Sequence, residues 1–187
     1  MSKLFVISGL SGAGKDSVIE GLKKENLDFN WVITTTTRPM RSGESEGNPY
    51  HFVSKEEFEQ MIKNDELIEH ALVYGNYYGP QKKDVEQLLQ LDKAILFKID
   101  CQGAKTIKGK FPEAKVIFIV PPSIEVLEKR LRSRGQDSEE VIQERLAETK
   151  KELATLDNWD YVITNEEGKL EETVEKVKKI ILEEARA

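Results

Sequence analysis

The stretch "ISGLSGAGKDSVIEGL", residues 7–22, limits the possible folds of this chain more than any other. A short apolar run, a turn carrying three glycines and an amphipathic segment follow one another without a spacer. Glycines at positions 9, 12 and 14 let the backbone curl until its N–H groups point at one anion, where a Cβ would clash or block a positive φ. The helix that follows adds the positive end of its dipole. Lys15 adds a full charge. The pattern GxxxxGK[ST] fits through Gly9, Gly14 and Lys15, after a strand and before a helix, which is the context a phosphate-cradling loop requires. Position 16 departs from it. Asp16 stands where a hydroxyl residue is expected, and Ser17 comes one place late. A carboxylate there can bind Mg²⁺ directly or through water, yet it sets negative charge close to phosphates unless the metal lies between them. It also suits the first turn of a helix on dipole grounds alone.

The chain has 187 residues, enough for one domain with a sizeable core. With 39% hydrophobic and 33% charged residues it reads as globular and not disordered. A net charge of -6 argues against a general nucleic-acid coat, which needs a basic surface, but leaves room for a local basic pocket. Cys101 is the only cysteine, so no intrachain disulfide forms and a reducing, cytoplasmic setting is expected. His51 and His70 lack metal-ligand spacing. "KLFVIS" is too short for a signal peptide and meets the glycine turn at once. No apolar run approaches the ~20 residues that span a bilayer. No nucleic-acid or membrane partner is expected, and the oligomeric state stays open.

Strand-like and helix-like segments alternate, which predicts an α/β fold with a mostly parallel sheet. Strands are expected at 3–8, 31–37, 50–54, 94–100, 115–120 and 161–164. "LIEHALVYGNYYG" (67–79) suggests two short strands around Gly75-Asn76, and 38–49 is rich in Gly, Pro and Ser and predicts a loop. Helices are expected over 14–24, after a capping box of Ser54 and Glu57, from 80 to about 91, and after Ser123. A second box, Asp137 with Glu140, predicts a helix through Leu156 with Ile142, Leu146, Leu153 and Leu156 on its apolar stripe. Leu170, Val174, Val177 and Ile181 mark a terminal helix. The piece from about 34 to 80 reads as a strand-rich insert beside the core.

"TTTTRPMRSGE" places Arg38 and Arg41 three residues apart in a loop after a strand. Two guanidinium forks suit a phosphate, and Tyr50 and Tyr78 offer hydroxyls. Spacing alone equally allows scattered, solvated side chains. Taken in order, "GLSGAGK", "TTTTRPMRSGE", "YHFVS", "IEHALVYGNYYG", "IDCQGA" and "RLRSRGQDSEEVIQERL" resemble guanylate kinase over nearly the whole chain. That resemblance implies a P-loop three-layer core (about 1–33, 81–128 and 146–187), a GMP-binding insert (about 34–80) and a helical lid (about 129–145). It implies ATP at Gly9, Leu10, Ser11, Gly12, Ala13, Gly14, Lys15, Asp16 and Ser17, with Arg134, and with Asn165 at the adenine. Some nucleoside monophosphate kinases carry the loop hydroxyl one residue late, so Ser17 serves a phosphate oxygen; Asp16 and Ser17 are the candidate Mg²⁺ residues, mainly through water. The resemblance further implies GMP at Thr34, Arg38, Arg41, Tyr50, Glu69, Tyr78 and Asp100. Guanine offers donors at N1 and N2, and a carboxylate such as Glu69 is the matching acceptor. Lys15, Arg38, Arg130, Arg134 and Arg145 are the implied catalytic residues, neutralising the phosphoryl group in transit; a plain basic helix face would also account for the last three.

Three positions depart from the family pattern: Asp16; Pro80, where Ser or Thr is usual and which cannot donate; and Lys98, where Asp or Glu is usual. Relaxed guanine selectivity is the expected consequence. The "GKDS" spelling also resembles ribose 1,5-bisphosphate phosphokinase, built on the same fold. A third alternative is the silent, phosphopeptide-binding guanylate-kinase-like module, against which the intact Gly9, Gly14 and Lys15 speak.

Overall fold

The computed structural model describes residues 3–25, 27–73, 75–133, 135 and 138–186. The elements in chain order are β1 (Leu4–Gly9), α1 (Lys15–Lys24), β2 (Phe29–Trp31), β3 (Thr34–Thr36), β4 (Ser45–Glu46), β5 (Pro49–Phe52) and α2 (Lys55–Lys63). Next come β6 (Ala71–Val73), β7 (Asn76–Pro80), α3 (Lys82–Leu89), β8 (Ala94–Lys98), α4 (Cys101–Lys110) and β9 (Lys115–Val120). Then follow α5 (Ile124–Ser133), α6 (Glu139–Leu153), β10 (Tyr161–Thr164) and α7 (Leu170–Arg186). One sheet has the strand order β10-β9-β1-β8-β2 and the other β4-β5-β3-β7-β6. The fold is α/β, as expected from the alternation of elements. The central strands β1, β8 and β9 bury consecutive residues, among them Phe5, Val6 and Ile7, then Ile95, Leu96 and Phe97, then Val116 to Ile119. Burial on both faces is why these strands read as unbroken apolar runs, and each such side chain contributes roughly 1.5–3 kcal/mol.

The chain divides into two compact units, Met1–Val6 with Asp28–Ala114, and Ile7–Leu27 with Lys115–Ala187. In the first unit β2 pairs in parallel with β8. The second sheet lies wholly in this unit. Its strand β3 has β5 parallel on one side and β7 antiparallel on the other. Phe58, buried on α2, stacks on Tyr77 at 5.2 Å. The Ser54–Glu57 capping box forms as expected, with both reciprocal hydrogen bonds.

In the second unit β10 pairs in parallel with β9. Helix α7 packs so close to α1 that a Cβ on Gly21 would lie 2.4 Å from a Val174 methyl. Leu127 and Leu131 of α5 join Ile142 and Leu146 of α6 in a small core. Ser123 caps α5, accepting the Val126 N–H at 3.3 Å.

Several sequence expectations shift. The segment 31–37 is two strands in two sheets: the Val32 N–H still donates to Leu96, and from Thr34 the chain pairs with β5 and β7 instead. β-branched composition reports extension but not the pairing partner. The 38–49 loop holds the short strand β4, paired with β5. The hairpin starts at Ala71, leaving Leu67, Ile68 and Glu69 outside it. Helix α6 is capped by Ser138, one residue later than the proposed box, and ends at Leu153. Asp137 lies outside the described residues, and Leu156 falls in a 3₁₀ turn. Among the described residues no helix is long and apolar enough to cross a membrane.

Candidate active site

The sequence candidates fall into two groups, one in each unit. The second unit holds the glycine turn. Gly9, Gly12 and Gly14 all have positive φ, and a Cβ on Gly9 would stand 2.4 Å from the Ile119 carbonyl oxygen. A Cβ on Gly14 would meet the Asn165 amide nitrogen at 2.3 Å. Leu10 donates to Ile119 at 3.1 Å and Ala13 back to Leu10 at 3.0 Å, which fixes the turn between β1 and α1. Ser11 and Lys15 are half-buried, Lys15 opening the helix, while Asp16 and Ser17 are exposed in its first turn.

Two sequence candidates support this turn from behind. The Ala13 carbonyl accepts from Arg130 at 3.2 Å and from the Asn165 amide at 2.8 Å. Arg130 also donates to the Asn165 backbone oxygen at 3.0 Å. The Asn165 side-chain oxygen accepts from Thr173 at 3.1 Å, so both ends of this buried amide are engaged inside the unit. Thr173 is a supporting residue that sequence reasoning missed; a threonine on the terminal helix carries no local signal for the loop. Arg145 reaches Ser11 Oγ at 3.4 Å. Arg134 lies outside the described residues.

The second group belongs to the first unit. Strand register sets Thr34 opposite Tyr50 on one side and Pro80 on the other, and Thr36 opposite Tyr78. The rings of Tyr50 and Tyr78 meet edge to face at 5.9 Å. The Arg38 guanidinium lies 5.4 Å from the centre of the Tyr50 ring, and its Nη2 contacts both Glu44 oxygens, at 2.7 and 2.9 Å. Arg41 is exposed and touches Glu44 through its backbone N–H, at 2.8 Å. Burial alone would raise the Glu44 carboxyl; the hydrogen bonds from Arg38 and the Arg41 amide outweigh it and hold the group below the usual range. Glu44 was not among the sequence candidates, although an acid three residues after Arg41 was its signal. The Thr34 hydroxyl donates to the Lys98 carbonyl at 3.4 Å, and the Lys98 ammonium lies 4.8 Å from the Tyr50 ring centre.

At the end of β8 the chain runs from Lys98 to Asp100, which caps α4 by accepting the Gly103 N–H at 2.8 Å. Glu69 meets this turn. It is only 5% exposed, and a Cβ on Gly103 would stand 2.9 Å from its carboxyl atoms. Its Oε2 has no hydrogen-bond partner. Burial, then the Asp100 charge, pushes its carboxyl up to about 8, against a smaller downward pull from Lys110. The Lys110 ammonium holds the neighbouring Ile68 carbonyl. A buried carboxyl with an unmet oxygen is an acceptor awaiting donors. Gly103, which makes the space for it, was also missed as a site residue.

The family model described as guanylate kinase matches residues 1–184. A guanylate kinase from Fusobacterium nucleatum is 49% identical over 167 residues, covering 89% of this chain and 90% of that protein. One from Gloeobacter violaceus is 43% identical over 184 residues, covering 98% and 89%. Among solved structures, the guanylate kinase from Anaplasma phagocytophilum matches with a TM-score of 0.79 at 32% identity, over 100% of this chain and 87% of that one.

Proposed function

Because the chain belongs to the guanylate kinase family and is a kinase, we propose that it transfers the γ-phosphoryl group of MgATP to GMP, and to dGMP, giving ADP and the diphosphate. The observation that carries the substrate assignment is Glu69, a buried carboxyl with an unsatisfied oxygen beside Gly103. Guanine's N1–H and N2 amino group are donors, and adenine's equivalent edge is not donor-only. Asp100 lies next to this position and keeps one oxygen on its cap.

In this reading the GMP phosphate is held by Arg38, Arg41, Tyr50 and Tyr78, and Thr34 serves the same pocket. ATP phosphates lie on the N–H groups of residues 9–17, with Lys15 on the terminal phosphates. A phosphate oxygen is already a nucleophile at neutral pH, so no general base is needed. The protein's contribution is alignment of two mutually repelling anions and neutralisation of the moving charge by Lys15, Arg130, Arg134 and Arg145. Asp16 and Ser17 offer exposed oxygen donors at the head of α1. Exposed oxygens of this kind suit Mg²⁺ kept mostly by phosphates and water. Asp16 and Ser17 would hold such an ion, mainly through water, and it would supply positive charge to offset the phosphates. Residues 34–80 act as the GMP-binding insert and 129–145 as the lid, closing over substrates to exclude water. Asn165 serves the nucleotide by fixing the loop from behind. A cytoplasmic location completes the reading.

The test is one assay. Purified protein receives MgATP with GMP, dGMP, AMP, CMP, UMP or ribose 1,5-bisphosphate, and ADP release is followed. GMP is expected to give the highest kcat/KM. A higher value for ribose 1,5-bisphosphate, or no turnover together with phosphopeptide binding, overturns the assignment.

A further inference from the structure

Tyr50 carries two cations. Arg38 lies 5.4 Å from its ring centre and Lys98 4.8 Å. An aromatic face attracts each cation through the negative charge of its ring quadrupole. Glu44 is anchored on Arg38 and holds its guanidinium in place. Lys98 is set from the other direction: its strand β8 belongs to the other sheet, and its carbonyl accepts from Thr34, whose register partner is Tyr50 itself. The ammonium is therefore delivered to the face of a ring whose hydroxyl belongs to the monophosphate pocket. The whole chain is acidic, so a dianionic substrate depends on such local positive charge.

We propose that Lys98 is a substrate-binding residue, its ammonium resting on the Tyr50 ring and moving onto the phosphate of the monophosphate acceptor as a point charge beside the Arg38 fork. The proposal rests on the reading of this pocket as the GMP site. A lysine fits the task chemically: a compact charge on a flexible stem, with three rotatable donors, can leave an aromatic face for a phosphate oxygen without the planar register that arginine needs.

The test compares wild type with Lys98→Met, which keeps the apolar stem, and with Lys98→Arg. Folding is checked by circular dichroism and Tm. Lys98→Met is expected to raise KM for GMP about tenfold, to leave KM for ATP within twofold, and to flatten the rise of KM(GMP) with salt. Lys98→Arg is expected to recover most of the loss. KM(GMP) within twofold of wild type in folded Lys98→Met overturns the proposal, as does an equal rise in KM(ATP) or an unchanged salt slope. Should Lys98→Met fail to fold, Lys98→Gln is read by the same criteria. A second arm separates this from the substrate assignment. Inorganic phosphate is titrated calorimetrically into Lys15→Ala protein with and without Lys98→Met. Weaker binding without Lys98 supports the proposal even when wild type ignores GMP, and equal binding overturns it.

Discussion

Glu69 ties the guanine assignment to a proton. Burial, and secondly the Asp100 charge, push its carboxyl up to about 8. Guanine needs the ionised form, because a protonated carboxyl presents a donor to a donor-only edge. On the proposed assignment, binding GMP at pH 7 expels a proton from most molecules, and the release dwindles as pH rises past about 8. Affinity should rise nearly tenfold per pH unit below 8 and flatten above it. The window from pH 7 to 9 avoids the phosphate's own ionisation near ~6. Calorimetry in buffers of different ionisation enthalpy counts the protons directly. Glu69→Gln should abolish the release and weaken GMP binding, since its amide offers one acceptor and two misplaced donors. The stability sign follows from the same displacement. Relative to its ordinary 4.5, the folded state holds the neutral form more tightly, so nothing is lost below pH ~4.5. A cost then grows as pH rises and levels off above about 8. Each tenfold preference is worth about 1.4 kcal/mol, so the cost reaches several kcal/mol, and ligand-free Glu69→Gln should be the more stable protein at pH 8. Proton release independent of pH, or unchanged in Glu69→Gln, would refute the reasoning.

Lys15→Ala should lower kcat at least a thousandfold while Tm moves by no more than a few degrees; near-normal turnover would remove Lys15 from the phosphate site. Gly103→Ala forces a methyl to within 2.9 Å of the Glu69 carboxyl. Steady-state kinetics should show KM(GMP) rising about tenfold or more with KM(ATP) unchanged, although alanine is otherwise the better helix former by about 1 kcal/mol. Thr173→Val leaves the buried Asn165 oxygen without its donor. Unfolding in urea should show a loss of about 1–3 kcal/mol, and KM(ATP) should rise more than KM(GMP).

The parts of this molecule that a sequence discloses are those whose cause is local. Positive φ at Gly9, Gly12 and Gly14 follows from residue type, and the Ser54–Glu57 box from two side chains three apart. The split of 31–37 was hidden, because Trp31 and Thr34 are equally suited to a strand and differ only in partners supplied far along the chain. The ionisation of Glu69 was hidden for a related reason. "LIEH" gives its identity, whereas its burial needs the missing side chain at Gly103 and the neighbouring charge of Asp100.

Asn165 has a structural role that its place in the sequence does not announce. From the sequence it is one polar residue after a strand, available to a nucleotide base. In the fold its amide nitrogen and Arg130 both hold the Ala13 carbonyl, and Thr173 holds its oxygen. A trans peptide sends its carbonyl and the next N–H in opposite directions. Fixing the Ala13 oxygen on one side therefore aims the Gly14 N–H to the other, at the head of α1, where the helix dipole already favours an anion. The same contact explains why position 14 excludes a side chain, since a Cβ would occupy the place of the Asn165 nitrogen. Glycine, asparagine and arginine are thus three parts of one device that presents a backbone donor, acting through a peptide plane that the sequence does not print.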